Sequence, residues 1–180
     1  MIARHINEKV YREFESWNPD LIQKMKDTSH NYDEENLNPW HLEGSIWNHT
    51  ILVMNKAEEY SKWKEFRIAE ILMYAAILHD VGKLYTRAER HEKKRVSFFN
   101  HEAFSVQPAI DFMTYMNKDN NFIETVIKII SLHMKAHKVE SKEDLYVLVD
   151  GDEKLLKLMI TFNKCDGEGR ISSIEIEQKF

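Results

Sequence analysis

A chain of 180 residues has the length of one domain and can bury a core of ordinary size. Five glycines and three prolines are few, and the abundance of Met, Leu, Ile, Glu and Lys favours helices over a turn-rich β architecture. The formal charge of −5 argues against broad coating of nucleic acid but leaves room for a local basic site, and a lone cysteine, Cys165, excludes a disulfide framework and a thiolate zinc cluster.

Residues 2–28 read as one or two amphipathic helices carrying Tyr11, Phe14 and Trp17. They are broken at "WNPD", where Asn18-Pro19 interrupts the pattern and Asp20 suits a first turn. This pair either covers the core or forms an interface. The polar stretch 29–44, "SHNYDEENLNPWHLEG", predicts a long surface loop. Helical patterns follow over 45–60, 66–80, 102–116, 121–135, 141–148 and 152–166. Pro108, inside the third of these, either kinks its helix or marks the true start. The connection 82–100 is long, has room for a short strand pair within 92–100, and is of a length often functional. No repeat, low-complexity segment, signal-peptide pattern or bilayer-spanning apolar run is present, so a soluble, cytoplasmic protein is expected. The predicted architecture is an all-α helical bundle with long loops. A single domain covers 1–180, with 1–39 as an N-terminal helical extension and 40–170 as its core.

Side chains three, four and seven residues apart share a helix face. Ile46, Thr50, Val53, Ala57 and Tyr60 mark one apolar stripe, and His49 falls within it. Ile68, Ile71, Leu72 and Ala75 lead to His79; Phe122, Val126, Ile129 and Ile130 lead to His133; Leu155, Met159 and Phe162 lead to Asp166. A single histidine on an apolar face is more often a hydrogen-bonded core residue than a ligand. Four stripes that each meet a metal-binding residue, with Asp80 beside His79, are different: one shared metal site compensates every burial at once. At the end of a helix, before Gly82, His79 and Asp80 can both reach one cluster, and a carboxylate has two oxygens with which to bridge two ions.

In this order, His49, "HD" at 79–80, His101, His133 and Asp166 resemble the HD-domain superfamily of metal-dependent phosphohydrolases. The flanks "PWHLEGSIWNHT" (39–50), "ILHDVGK" (77–83), "VSFFNHEAFS" (96–105) and "KCDGEGR" (164–170) are similar to the HD domains associated with bacterial tRNA nucleotidyltransferases and their stand-alone relatives. Ser45 departs from the pattern, since those relatives often carry an acid there, and no nucleotidyltransferase domain accompanies it. The resemblance implies an HD-domain bundle. It also implies metal ligation by His49, His79, Asp80, His101, His133 and Asp166, with His101 resting mainly on it. His137, four residues after His133, competes for that residue's role.

Four imidazoles and two carboxylates suit a pair of divalent transition ions (Mn, Fe, Co, Ni or Zn) better than Mg. The expected reaction is attack of metal-bound hydroxide on a phosphate ester, with Asp80 and Lys83 in catalytic roles. Lys83 also suits contact with substrate phosphate, its alternative being a surface lysine favoured by the helix dipole. Arg87, Arg90 and Arg170 are further candidates for phosphate contact, although a basic run is usually a solvated face. Trp40, His41 and Trp47 border the first motif, either to stack on a base or to anchor loops. The expected substrate is a nucleotide or nucleic-acid end, making the chain a nucleotidase, dinucleotide hydrolase or 2′,3′-cyclic phosphodiesterase. The alternatives are an HD-type diiron oxygenase and a metal-containing nucleotide-binding module. No membrane partner is expected, and the oligomeric state is left open, a dimer included.

Overall fold

The computed structural model of the chain describes residues 2–174 and is mostly helical, as the composition predicts. Helices α1 (Ile2–Trp17) and α2 (Pro19–Asp27) part where the sequence breaks. The Asn18 side chain caps α2 by accepting from the Leu21 amide at 3.0 Å, with Pro19 just inside the helix. The following loop closes on itself. The His30 amide donates to the Gly44 carbonyl at 2.8 Å and the Ile46 amide to the Thr28 carbonyl at 3.0 Å. Gly44 makes this return at φ +85°, a left-handed conformation that favours glycine. Ser45 then caps α3 (Ile46–Ser61) by accepting from the Asn48 amide at 3.1 Å.

Helix α4 (Phe66–Leu78) is followed by a single turn, α5 (Lys83–Thr86), and a hairpin of β1 (Arg87–Arg90) and β2 (Arg95–Phe98). The strands are antiparallel, with Arg87 opposite Phe98 and Arg90 opposite Arg95. The sequence places a strand pair only within 92–100, whereas the first strand starts at Arg87. "RAER" shows no apolar alternation because this two-stranded ribbon buries neither face fully. The single helix expected over 102–116 is two, α6 (His101–Phe104) and α7 (Val106–Tyr115). The break falls at Ser105, so Pro108 lies in the first turn of α7, where a missing N–H loses no helical bond. Helices α8 (Asn120–Ala136), α9 (Lys142–Leu148) and α10 (Glu153–Glu168) lie close to their expected spans.

The core is built around α4, whose residues from Ala69 to Leu78 are all buried. A helix apolar on every side belongs inside a bundle, and α1, α3, α8 and α10 surround it. The face of α1 formed by Ala3, Ile6, Val10 and Phe14 is buried there, so the N-terminal pair shares this core. Phe112 joins the layers: Phe14 meets it edge-on at 5.1 Å between ring centres, and Tyr74 stacks on it at 5.4 Å. Among the described residues, no helix is long and apolar enough to cross a membrane.

Phe112→Ala removes the ring shared by α1, α4 and α7. We expect it to lower unfolding free energy by about 3–5 kcal/mol, read as a shifted denaturant midpoint with an unchanged slope.

Candidate metal centre

Helix α4 stops at Leu78, two residues short of the expected span 66–80, with His79 as its C-cap, so His79 and Asp80 stand at its end as expected. The chain turns sharply there because Gly82 admits the backbone of α6. A Cβ at Gly82 would lie 1.9 Å from the His101 carbonyl oxygen and 2.6 Å from the Ser105 nitrogen. The buried Ser105 hydroxyl ties the two segments together, accepting from the Gly82 amide at 2.8 Å and donating to the His79 carbonyl at 2.6 Å. This close crossing carries His101 to Asp80.

The two oxygens of Asp80 face different histidine pairs. Oδ1 lies 3.1 Å from His101 Nε2 and 4.0 Å from His133 Nε2. Oδ2 lies 3.4 Å from His79 Nε2 and 3.6 Å from His49 Nε2. Asp166 closes the second half, with Oδ1 3.1 Å from His49 Nε2 and 3.8 Å from His79 Nε2. All six side chains are buried. His49, His79 and Asp80 form one group able to hold an ion, and Asp80, His101 and His133 form another.

The tautomers show that a cation fits. His79, His101 and His133 each direct Nδ1 at a backbone carbonyl, of Ala76 at 2.9 Å, Phe98 at 2.8 Å and Ile130 at 2.6 Å. A neutral imidazole donating from Nδ1 carries only a lone pair at Nε2. Yet the Nε2 atoms of His101 and His133 are 3.2 Å apart, and those of His49 and His79 are 3.4 Å apart. Lone pairs set that close repel unless a cation or a proton lies between them. Asp80 Oδ2 is buried with no aligned hydrogen-bond donor, although the Lys83 ammonium stands 2.7 Å away.

Charge within the cluster follows from burial and neighbours. Burial pushes the Asp80 carboxyl up, but the surrounding imidazoles of His79 and His101 and the Lys83 ammonium leave it well below the usual carboxylate range. Asp166 is likewise well below, because Arg170 and His137 outweigh its burial. Burial pushes His133 well below the ordinary histidine range, which favours the neutral form a ligand needs. His49 is raised: hydrogen bonds to Asp166 and Glu43 overcome its burial.

His137 binds neither oxygen of Asp80 in the cluster's core. With Arg170, whose Nη2 lies 2.9 Å from Asp166 Oδ2, it holds the outer oxygen of Asp166. Glu43 was invisible to periodicity. Its Oε1 accepts from His41 Nδ1 at 2.7 Å and lies 3.1 Å from His49 Nδ1, while Oε2 accepts from the Ile171 amide at 2.9 Å. Ser45 is a helix cap, and the acid nearest His49 from this loop is Glu43, two positions earlier.

A cavity of about 250 Å³ opens over the cluster, and Lys83, Arg170, Trp40 and His41 line it. Lys83 is buried and Trp40 is exposed. Arg87 and Arg90 are not brought to it. Arg87 pairs with Glu89 at 2.7 Å and reaches the Ser29 and Asn31 carbonyls, and Arg90 donates to Ser97 within the hairpin. Trp47 is buried against Tyr11 and Phe14, which makes it a core residue. His30 also lines the cavity, buried in a loop whose polar composition reads as surface. A histidine that close in sequence to a motif of Trp, His and Glu is the only signal it offers.

The HD-domain family model matches residues 46–162, more than half of the chain. That span takes in His49, His79, Asp80, His101 and His133 and stops short of Asp166. No significant match is found among curated proteins or solved structures. The family is typically one of metal-dependent hydrolases.

Two measurements follow. Metal analysis of the purified protein should return about two ions per chain, falling to about one in His101→Ala and in Asp80→Asn to nearly none; an unchanged count in both variants would show that ions bind elsewhere. Cys165 is buried, and burial with the neighbouring Asp166 charge pushes its thiol up to about 12. Being protonated and enclosed at pH 8, it should resist alkylation in the native protein and react fully only after unfolding.

Proposed function

The chain belongs to the HD-domain family, and from that premise we propose that it is a metal-dependent phosphohydrolase cleaving a phosphate ester of a nucleotide or of a nucleic-acid end. The observation that carries the reading is the divided carboxylate of Asp80, one oxygen to each histidine pair, at the floor of a cavity that holds a lysine. His49, His79, Asp80 and Asp166 would hold one ion, and Asp80, His101 and His133 the other. When bound, such ions supply positive charge for phosphate oxygens and lower the pKa of a water. Imidazole-rich surroundings favour Mn, Fe, Co, Ni or Zn over Mg.

The chain's own residues prepare the rest. Arg170 and His137 keep the outer oxygen of Asp166 occupied, which orients the inner one towards His49. Lys83 offers an ammonium at the cavity floor for a non-bridging phosphate oxygen. Trp40, exposed beside the opening, offers a face on which a base can stack. A volume of about 250 Å³ lies just below the usual span of ligand pockets, about 300–1,000 Å³, and suits one nucleotide unit, as a monophosphate or a 2′,3′-cyclic phosphate. The flanks that resemble domains associated with tRNA nucleotidyltransferases lean the same way, towards an RNA-derived ester.

The test combines metal and substrate. Protein freed of metal and reloaded with Mn, Co, Ni, Zn or Fe should hydrolyse nucleoside monophosphates or 2′,3′-cyclic nucleotides. His79→Ala should reduce the rate to background. Tightly held iron with oxygen consumption and no hydrolysis would replace this reading by a diiron oxygenase. Nucleotide binding without turnover in any metal form would leave a binding module.

A further inference from the structure

Lys83 is an ammonium buried beside a cluster that attracts more positive charge, and burying a cation is costly unless it is held. Three groups surround it: Asp80 Oδ2 at 2.7 Å, His30 Nε2 at 2.9 Å and the Phe98 ring, whose centre is 5.4 Å away. Asp80 is committed to the histidine pairs on either side, so its hold on Lys83 competes with its role as a ligand. His30 belongs to neither of the two ion-holding groups that contain Asp80, although with His41 and Glu43 it forms a separate one.

The His30 ring is locked from every direction. Its Nδ1–H donates to the Gly44 carbonyl at 3.1 Å, the same carbonyl that accepts the His30 amide. The ring lies parallel to His41 with centroids 4.1 Å apart and planes 8° apart, and Phe98 closes its edge at 5.5 Å. With Nδ1 donating, Nε2 is left as a neutral acceptor, able to take a hydrogen bond from the ammonium without cancelling its charge. A carboxylate in that place would add a second negative charge on Lys83 beside Asp80 and compete further with phosphate for it.

We propose that His30 is a positioning residue for Lys83: a locked, neutral imidazole that fixes the ammonium at the cavity floor and leaves its charge for a substrate phosphate. The purpose assigned to Lys83 rests on the phosphohydrolase reading, whereas the His30 contact does not. In chain terms, the polar loop after α2 aims a side chain on α5.

The test uses ¹⁵N-lysine NMR and binding of inorganic phosphate to the metal-loaded protein. In the wild type, the Lys83 ammonium, assigned by its loss in Lys83→Met, should exchange slowly enough to give a resolved signal. His30→Leu should lose that signal, His30→Gln should keep it through its amide oxygen, and metal content should be unchanged in both. Phosphate affinity should fall about tenfold in His30→Leu, the loss of about one hydrogen bond to a charged group. In a Lys83→Met background, His30→Leu should weaken phosphate no further. The proposal is overturned if the two substitutions multiply, if His30→Leu loses metal, or if the ammonium signal survives it. No phosphate binding by the wild type, with the signal still dependent on His30, would sink the phosphohydrolase reading and leave the His30–Lys83 contact standing.

Discussion

Everything in this protein is arranged around a carboxylate that should not be buried alone. Asp80 follows directly on the most enclosed helix of the bundle and is 2% exposed. An isolated charge in that position would be expelled or protonated. Here the Lys83 ammonium stands beside one oxygen, and the imidazoles about both leave places where a cation can compensate the charge. The bundle needs α3, α8 and α10 to converge on the end of α4, and α6 to cross the chain closely enough that only glycine fits at position 82. Core packing and site assembly are therefore one construction: what buries Ile77 and Leu78 also delivers the ligating atoms.

A second regularity lies one bond further out. His79, His101 and His133 each donate from Nδ1 to the carbonyl three residues before them. The backbone itself sets the tautomer, so the orientation of each ring is inherited from the helix or turn that carries it. Such local locking explains how three elements distant in sequence present Nε2 atoms to a common centre without a carboxylate behind each ring. His49 is the exception, sitting in the first turn of a helix, and Glu43 stands behind it instead.

The irregular segments are not passive coverings. The loop between α2 and α3 contributes His30, His41 and Glu43, and the chain after α10 returns to meet it. The Leu42 amide donates to the Ile171 carbonyl at 2.7 Å, and the Ser173 amide to the Pro39 carbonyl at 3.0 Å. Glu43 accepts from Ile171 within the same junction, so the two segments brace each other above the cluster. Arg170 enters from that junction to hold Asp166. The wall of the cavity facing away from the bundle is thus made of backbone with no repeating pattern.

That division marks what could be read from the sequence and what could not. The helices and the polar residues on their stripes were legible, because burial imposes a period of 3.6 and a histidine or aspartate on the buried side breaks the rule visibly. His49, His79, His133 and Asp166 announced themselves in this way, and Asp80 by adjacency. His101 begins a one-turn helix, where periodicity has nothing to say, and only its resemblance to a known motif singled it out. His30 and Glu43 gave no periodic signal, since a loop's side chains turn inwards or outwards according to what it folds against. The basic run at 87–95 shows the reverse: its arginines satisfied a compositional rule for phosphate contact, but Arg87 is engaged by Glu89 and the Ser29 and Asn31 carbonyls and Arg90 by Ser97, and neither lines the cavity. The sequence by itself determined an all-α bundle and which buried polar residues its helices carry. Only the tertiary structure decided how Asp80 divides its oxygens, which loop residues stand behind the ligands and which cations reach the cavity, because those depend on distances between segments that no local pattern encodes.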